Sequence, residues 1–337
     1  MPVQNRPEDA LFAMRGIART ALRHWKLQGA ELDLLKHREN AVFRVDAGGE
    51  RYALRVHRPG YHSDAALRSE LQWMEALREA GVDVPRIVPT TSAEPFALEN
   101  APGLPSPVQV DLFEWIEGRP LGSVERGVAT DGQGVRHLYR SLGVLAAALH
   151  DHSEAWNPPR SFVRHAWDES GLAGERPLWG PFLDLPQLAA DERELLTVAR
   201  ARVYDELGTL SKARSGYGLI HADFTPENVL VDGGRPRLID FDDAGWGWHL
   251  FELVTPLFFL MEDPCFHEAR DALVDGYRER RRLDEEQLAR LPLFFLARAF
   301  TYLGWVHTRS ETATARELTP MLVATACRLA AEYLRGG

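Results

Sequence analysis

The chain has 337 residues, of which 45% are hydrophobic and 26% charged, a balance typical of a globular protein and not of a disordered one. This length suits two lobes that share one cleft. The net charge is −10, and the one notable basic run, Arg278–Arg282, is short, so nucleic acid is not expected as a partner.

The cysteines, the first residues and the apolar runs of the chain bear on its cellular location. The two cysteines, Cys265 and Cys327, lack a metal-binding spacing and favour a reduced, cytoplasmic protein. The first residues lack the basic region and apolar core of a signal peptide. The apolar run Leu250–Met261 is too short to cross a membrane, and Glu252 interrupts it, so no membrane association is expected. The oligomeric state is left open.

The first third of the chain is predicted to contain two helices and four strands. A helix is predicted over Pro7–Trp25, where apolar residues recur at helical spacing. A second helix is predicted from Ser63, a good capping residue, to Ala80, just before Gly81. Four segments have the composition of strands: Leu32–His37, Ala41–Asp46, Arg51–His57 and Val108–Trp115.

A boundary is predicted at Glu117–Pro120, where a strand ends and Gly and Pro break regular structure. It divides the chain into residues 1–117 and 118–337. Helices are predicted beyond it over Val135–His150 and Asp191–Leu210. The segment Asn157–Pro186 between them has weak periodicity and is expected to be an insertion lying over the cleft.

The segment Leu219–Gly245 holds the polar residues that suggest chemistry. Asn228 follows Asp223 by five residues, and Asp240 follows Asn228 by twelve, after an apolar pair that predicts a strand. One carboxylate can accept a proton while an amide oxygen and a second carboxylate hold magnesium. This is the equipment needed to transfer a phosphoryl group from ATP to a hydroxyl. The alternative for Asp223 is a structural aspartate that caps a turn before Thr225.

The pattern His-x-Asp-x-x-x-x-Asn in HADFTPEN, followed by LIDFDD, resembles the catalytic and metal-binding motifs of the protein-kinase-like phosphotransferases. The resemblance is strongest to the aminoglycoside phosphotransferase group, which includes choline kinases, homoserine kinases and a bacterial stress-response kinase. It implies an α+β fold of two lobes. Residues 1–117 form a nucleotide-binding small lobe with an antiparallel sheet and a helix, and residues 118–337 form a mainly helical catalytic and acceptor-binding lobe.

The resemblance also assigns roles in the HADFTPEN and LIDFDD segments. Asp223 is the expected base, and His221 is expected to orient the loop more than to transfer a proton. The expected ligands of Mg²⁺ are Asn228 and Asp240. Asp242 is a third candidate ligand, with a backbone hydrogen-bonding role as the open alternative.

In the first lobe the resemblance exposes two departures. Arg55 stands where the family usually has a lysine for the ATP phosphates, and Glu70 is its expected partner. The alternatives are an exposed strand arginine and a solvated helix glutamate. The loop at Asn40 lacks the glycines that cover the phosphates in protein kinases, so the Asn40 side chain is expected to donate to nucleotide instead. The purine is expected at Phe113, Glu114, Trp115 and Ile116.

The acceptor is predicted less well. Six aromatic residues are expected either to line an acceptor pocket or to form ordinary core: Trp246, Trp248, Phe258, Phe259, Tyr302 and Trp305. Glu252 stands where relatives have an aspartate that anchors the catalytic loop. The sequence predicts an ATP- and magnesium-dependent kinase for a hydroxyl of a small molecule, such as an aminoglycoside or an amino alcohol. A stress-response Ser/Thr protein kinase and a nucleotide-binding pseudokinase are the alternatives.

Overall fold

The computed structural model describes residues 7–37, 40–100, 106–123, 127–128 and 132–336. The chain forms two compact units, of which the first contains residues 1–117 and 158–163 and the second contains residues 118–157 and 164–337. The division after Glu117 falls at the position expected from the sequence, whereas the return of residues 158–163 to the first unit was not expected. The binding roles of the two units stay predictions.

The described helices and strands are numbered in chain order. The helices are α1 Pro7–Ala21, α2 Asp64–Glu79, α3 Gly132–Ala155, α4 Glu169–Ala173, α5 Ala190–Thr209, α6 His249–Val254, α7 Phe266–Arg278, α8 Glu285–Leu288, α9 Leu291–Thr308 and α10 Ala313–Arg335. The strands are β1 Glu31–His37, β2 Ala41–Ala47, β3 Glu50–Val56, β4 Ala97–Glu99, β5 Val108–Glu114, β6 Arg119–Pro120, β7 Gly122–Ser123, β8 Gly127–Val128, β9 Ala166–Trp167, β10 Tyr217–Ile220, β11 Val229–Asp232, β12 Arg235–Leu238 and β13 Gly245–Trp248.

The first unit is built on an antiparallel sheet of order β1-β2-β3-β5-β4. Strands β2 and β3 are joined by a tight turn in which Gly48 and Gly49 have positive φ angles of 61° and 90°, a conformation that glycine adopts without strain. Alternate residues of β2 are buried, among them Phe43 and Val45, and they pack with the inner face of α1 in one apolar core. The register that places this face inward is fixed by that burial.

Two helices of the first unit differ in how well the sequence predicted them. Helix α2 begins as expected, with the Ser63 hydroxyl accepting from the amide of Ala66. The first predicted helix is too long, because α1 ends at Ala21 and residues Leu22–Trp25 form a 3₁₀ turn. Lys26 then adopts a left-handed φ of 58°, which ends the helical path.

The second unit is mainly helical, so the predicted α+β class is confirmed. Helices α3 and α7 cross so closely that a Cβ atom on Gly143 would overlap the carbonyl of Leu273. Helix α9 packs against α6 and α10. The expected break at Glu117–Pro120 is only partly right, because Arg119 and Pro120 form β6 and pair with β11.

The segment Asn157–Pro186 is better ordered than its weak periodicity suggested. Strand β9 pairs in parallel with β13 through Ala166 and Trp246. Trp167 and Trp179 are buried and their rings meet edge to face, with centroids 5.4 Å apart. Beyond Val163 this segment is therefore part of the core of the second unit, and the expectation of an irregular insertion was wrong there.

Among the residues that the structure describes, none of the helices has the length and apolar character needed to cross a membrane.

Candidate active site

The loop that follows β10 carries His221, Ala222 and Asp223. Glu252 of α6 accepts hydrogen bonds from the backbone amides of His221 at 2.7 Å and Ala222 at 2.8 Å. Ala222 has a left-handed φ of 66°, a conformation that costs about 1–2 kcal/mol in a residue with a Cβ atom. Such a backbone persists only where surrounding contacts fix it, and Glu252 supplies two of them. The longer glutamate thus makes the loop contacts expected of an aspartate.

His221 links this loop to the next hairpin. Its Nε2 donates to the carbonyl of Ile239 at 2.9 Å, and its Nδ1 accepts from the amide of Asp223 at 3.2 Å. Burial lowers the pKa of His221 to about 3, so the ring is neutral near pH 7. These contacts support the proposed role of His221 in orienting the loop.

Asp223 is held by both carboxylate oxygens. Its Oδ2 accepts from the side-chain amide of Asn228 at 2.7 Å, and its Oδ1 accepts from Arg298 at 3.1 Å. The side chain is 23% exposed, so solutes can reach it. A fixed and accessible carboxylate is what a general base requires, and the role of Asp223 as base remains a proposal.

A hairpin brings Asn228 and Asp240 together although twelve residues separate them. Strands β11 and β12 pair from Asp232–Arg235 to Val229–Leu238, and the ladder continues with the amide of Ile239 donating to the carbonyl of Asn228 at 2.9 Å. Asn228 and Asp240 therefore both lie at the open end of the hairpin. Asp240 has a φ of 65°, which is uncommon outside glycine and occurs at functional sites.

The donor atoms at this end fit a divalent cation. The Asn228 amide nitrogen donates to the carbonyl of Asp223 at 3.0 Å and to its carboxylate, which makes the amide oxygen the atom available as a ligand. Asp240 adds a half-buried carboxylate. Mg²⁺ is commonly held by one or two such oxygens together with water and phosphate. Asn228 and Asp240 together offer this number of oxygen ligands. Within the described residues there is no cluster of three His, Cys, Asp or Glu side chains suited to a metal.

Asp242 is placed two residues further on and is nearly buried. Its backbone carbonyl accepts a hydrogen bond from Arg164, which also donates to the carbonyl of Ala244. Asp243 accepts from the indole of Trp179 through its side chain at 3.0 Å. These contacts fix the turn after Asp240, while ligation of metal by Asp242 stays a prediction.

In the first unit Arg55 lies in a buried charge network, not on an exposed strand. Its guanidinium donates to Glu70 at 2.7 Å and to the two carboxylate oxygens of Asp111 at 3.1 and 2.7 Å. His57 lies 3.0 Å from the same carboxylate. The Arg55–Glu70 pair expected from the sequence is present. Asp111, whose partners Arg55 and His57 hold its pKa below the usual value despite burial, was not foreseen.

The other residues predicted to contact nucleotide also lie in the first unit. The Asn40 side-chain oxygen accepts from the amide of Arg58 at 3.0 Å, which points to an amide group held in a fixed orientation. The ring of Phe113 lies under the Arg55 guanidinium, 5.2 Å from it. The backbone amide of Glu114 donates to the backbone carbonyl of Arg86 at 2.8 Å, and the amide of Trp115 donates to the carbonyl of Arg51 at 3.3 Å. The amides of these two residues are therefore already paired with backbone, and the purine site at Phe113–Ile116 stays a prediction.

The model of the phosphotransferase enzyme family matches residues 33–290. The chain belongs to this family. A solved structure of a microcompartment-associated aminopropanol kinase has a TM-score of 0.84 and 33% identity, covering 96% of this chain and 98% of that one.

Two further relatives are amicoumacin kinases. Amicoumacin kinase of Bacillus subtilis (strain 168) is 23% identical over 313 residues, which are 85% of this chain and 83% of the relative. The structure of amicoumacin kinase hAmiN with AMP-PNP, Ca²⁺ and Ami has a TM-score of 0.76 at 19% identity, over 95% of each chain. The kinase-like fold and the prediction of an ATP-dependent phosphotransferase are confirmed. The expected use of ATP and a divalent cation agrees with the ligands of that structure.

The predicted aromatic residues of this phosphotransferase separate into two groups. The rings of Phe258, Phe259 and Tyr302 lie together, with centroids 4.8 to 5.3 Å apart. Trp248 packs elsewhere, against Tyr217 and Phe294. Phe258, Tyr302 and Trp248 are all buried, which supports the core alternative for these three, and acceptor contact by the others stays a prediction.

Sequence reasoning missed two charged residues that hold the site. Arg298 is the only Asp, Glu, Lys or Arg within α9, whose sequence is LPLFFLARAFTYLGWVHT. Asp111 lies in β5, where every residue before Glu114 is buried. A lone charge in an apolar helix or a buried strand indicates a buried ion pair, since an unpaired charge there is strongly unfavourable. That signal was present in the sequence, but the identity of each partner was not.

Proposed function

We propose that this chain transfers the terminal phosphoryl group of ATP to a hydroxyl group of a small amino alcohol, with Mg²⁺ as cofactor. The observation that carries the proposal is the contact of 2.7 Å between the Asp223 carboxylate and the Asn228 amide. That contact unites the candidate base with the candidate metal site at the end of the β11–β12 hairpin.

In the proposed reaction the acceptor hydroxyl oxygen attacks the terminal phosphorus of ATP. The new bond joins that oxygen to phosphorus, the bond from phosphorus to the bridging oxygen breaks, and ADP leaves. Asp223 orients the hydroxyl and takes its proton as the new bond forms. Asn228 and Asp240 would hold the magnesium, which when bound neutralises charge on the phosphates.

The choice of acceptor is supported by the aminopropanol kinase, which is 33% identical over nearly the whole chain. An amino alcohol carries an ammonium group, and the net charge of −10 favours a cationic acceptor over an anionic one. The relation to amicoumacin kinase makes amicoumacin the second candidate.

The test is a screen of acceptors with the purified full chain, ATP and magnesium chloride. Products are measured by mass spectrometry, because ATP consumption alone also reports hydrolysis. The panel contains aminopropanol, ethanolamine, homoserine, amicoumacin, an aminoglycoside and a protein substrate such as casein. We expect the highest turnover per Michaelis constant with a small amino alcohol. Phosphorylation of casein alone, or of no hydroxyl at all, would contradict the proposal.

A further inference from the structure

Arg298, like Glu252, contacts the candidate catalytic loop. It lies on α9 and its side chain is fully buried. One terminal nitrogen donates to the carbonyl of Ala222 at 2.8 Å, and the other donates to the Asp223 carboxylate and to the hydroxyl of Tyr302, each at 3.1 Å. Because it has no exposed surface, Arg298 cannot touch a substrate directly.

Three aromatic rings enclose the guanidinium group. Its central carbon is 4.5 Å from the ring centre of Tyr302, 4.9 Å from that of Trp179 and 5.2 Å from that of Phe251. The Trp179 ring is itself fixed by the hydrogen bond to Asp243. Such an enclosure excludes water and leaves the flat guanidinium one orientation, while the ring faces stabilise its charge.

The backbone between the contacts made by Glu252 and Arg298 is strained. Ala222 keeps its left-handed φ of 66° while its amide is bonded to Glu252 and its carbonyl to Arg298. Both polar groups of this peptide segment are therefore satisfied by side chains from helices. The direction of the next residue, Asp223, is set by these two contacts together.

Arg298 and Asp223 stabilise each other by charge as well as by packing. A buried guanidinium requires an anionic partner, since removing that partner leaves a desolvated charge. Asp223 is the carboxylate that the guanidinium contacts at 3.1 Å. Each charge thus stabilises the other, and a change in one alters what the other contributes.

We propose that Arg298 is a positioning residue that holds the Asp223 carboxylate in the orientation needed to accept the proton of the acceptor hydroxyl. The proposal rests on the proposed role of Asp223 as the base. Arg298 acts through Asp223 and the Ala222 carbonyl, so it should change turnover and leave nucleotide binding alone.

A double-mutant cycle tests this. Arg298→Gln and Arg298→Lys are made in the wild-type chain and in Asp223→Asn, and turnover and the Michaelis constant for ATP are measured for each. We expect Arg298→Gln to lower turnover by about 10- to 100-fold in the wild-type background, as for other lost positioning contacts. The Michaelis constant for ATP should stay within about twofold. Arg298→Lys should recover part of the loss, because the charge survives without the fork.

The decisive result is the effect of Arg298→Gln in the Asp223→Asn background. If Arg298 acts through Asp223, this second change should lower turnover by less than about threefold, because coupled residues are not additive. Thermal unfolding should agree. In the Asp223→Asn chain the Arg298 cation has already lost its carboxylate partner, so Arg298→Gln should cost less stability there than in the wild-type chain. Full additivity in turnover would overturn the proposal and reduce Arg298 to a packing residue.

Two further variants keep the test decisive. Tyr302→Phe retains the cation and removes one hydrogen bond, so it should fold and show a smaller effect on turnover that also vanishes in Asp223→Asn. It decides the question if Arg298 variants do not fold. Arg193→Gln is the matched control, because Arg193 also donates to backbone carbonyls, those of Leu185 and Leu188, outside the catalytic loop. Normal turnover of Asp223→Asn itself would instead refute the proposed base.

Discussion

Each unit contains a fully buried carboxylate, and the two have opposite pKa shifts. In the first unit the pKa of Asp111 lies below its usual value, although burial acts to raise it, because Arg55 and His57 contact the carboxylate. In the second unit burial raises the pKa of Glu252 to about 7, and the amides of His221 and Ala222 together with the charge of Arg298 only reduce the shift. The same degree of burial thus leads to a charged group in one unit and a titrating group in the other.

The difference comes from the partners. Asp111 receives two hydrogen bonds from a guanidinium group, whereas Glu252 receives two from neutral amides. A cation in direct contact can offset the desolvation of a carboxylate, while neutral donors offset less of it. The first unit therefore fixes Arg55 by charge, and the second fixes the backbone of a loop by hydrogen bonds.

The comparison predicts that changes in the two units affect different kinetic quantities. Asp223→Ala, in the loop held by Glu252, should lower turnover by roughly 10²–10⁴, the range for a lost acid or base. Nucleotide affinity, measured by calorimetry, should be nearly unchanged. Asp232→Ala is the control, because Asp232 is an exposed acid at the turn of the β11–β12 hairpin. A folded Asp223→Ala enzyme with normal turnover would show that another group accepts the proton.

Arg55→Ala tests the charge-based network of the first unit. It leaves Glu70 and Asp111 buried without their cation, so we expect a loss of stability of about 3–5 kcal/mol. If Arg55 also contacts the nucleotide phosphates, as the family resemblance implies, the Michaelis constant for ATP should rise and turnover should fall. Arg55→Lys should keep partial activity, since the charge survives but the two-pronged contact does not.

The controls for Arg55 separate stability from ATP binding. Arg44→Ala removes a half-exposed arginine from the neighbouring strand β2, where it pairs with Asp33 and Asp46, and it should change neither quantity by much. Glu70→Ala should resemble Arg55→Ala, and the double variant should lose less than the sum of the two, because the side chains are in contact. Normal ATP kinetics in a folded Arg55→Ala chain would leave Arg55 a purely structural residue.

The local motifs were predicted from sequence because they depend on short spacings. The strand that ends before Asp240 follows from the apolar pair Leu238 and Ile239, and the capped start of α2 follows from Ser63. The Arg55–Glu70 pair was reached by resemblance to a family, since these residues meet only through the packing of α2 on the sheet.

The remaining parts of the site depend on contacts between distant segments. Arg298 lies 75 residues beyond Asp223, and Trp179 reaches Asp243 from a segment that lacks clear periodicity. A single sequence shows that Arg298 is a lone charge in an apolar helix, but tertiary packing chooses which carboxylate it meets. The purine site at Phe113, Glu114, Trp115 and Ile116 stays a prediction, and the amides of Glu114 and Trp115 are bonded to neighbouring backbone.

Asp240→Asn sharpens the comparison at the metal site, with a smaller effect. A neutral amide oxygen is a weaker ligand than a carboxylate for Mg²⁺, so more magnesium should be needed for nucleotide binding. Calorimetry of ATP binding over a range of magnesium concentrations measures this, with Asp232→Asn as the control on the same hairpin. An unchanged magnesium dependence would place the metal away from the hairpin end.

Glu252→Gln tests the titration on which the comparison rests. Because the folded pKa of about 7 lies above the unfolded value near 4.5, the folded chain binds more protons between these limits. The free energy of unfolding should therefore fall as pH rises from about 4.5 to 7, by about 1–3 kcal/mol for this group. Asp111, whose pKa is lowered, does not titrate in that window and adds no slope there.

Denaturant unfolding of wild type and Glu252→Gln at several pH values isolates this contribution. Buried histidines such as His221, whose pKa is lowered, add stability as pH rises toward 6.5, so their slope has the opposite sign. They are common to both chains, and the difference between the two profiles cancels them. Glu286→Gln, at a glutamate whose side chain is 81% exposed, should leave the profile unchanged. Parallel profiles for wild type and Glu252→Gln would mean that two neutral amides suffice to keep a buried carboxylate charged, and that the cation beside Asp111 is not what separates the two units.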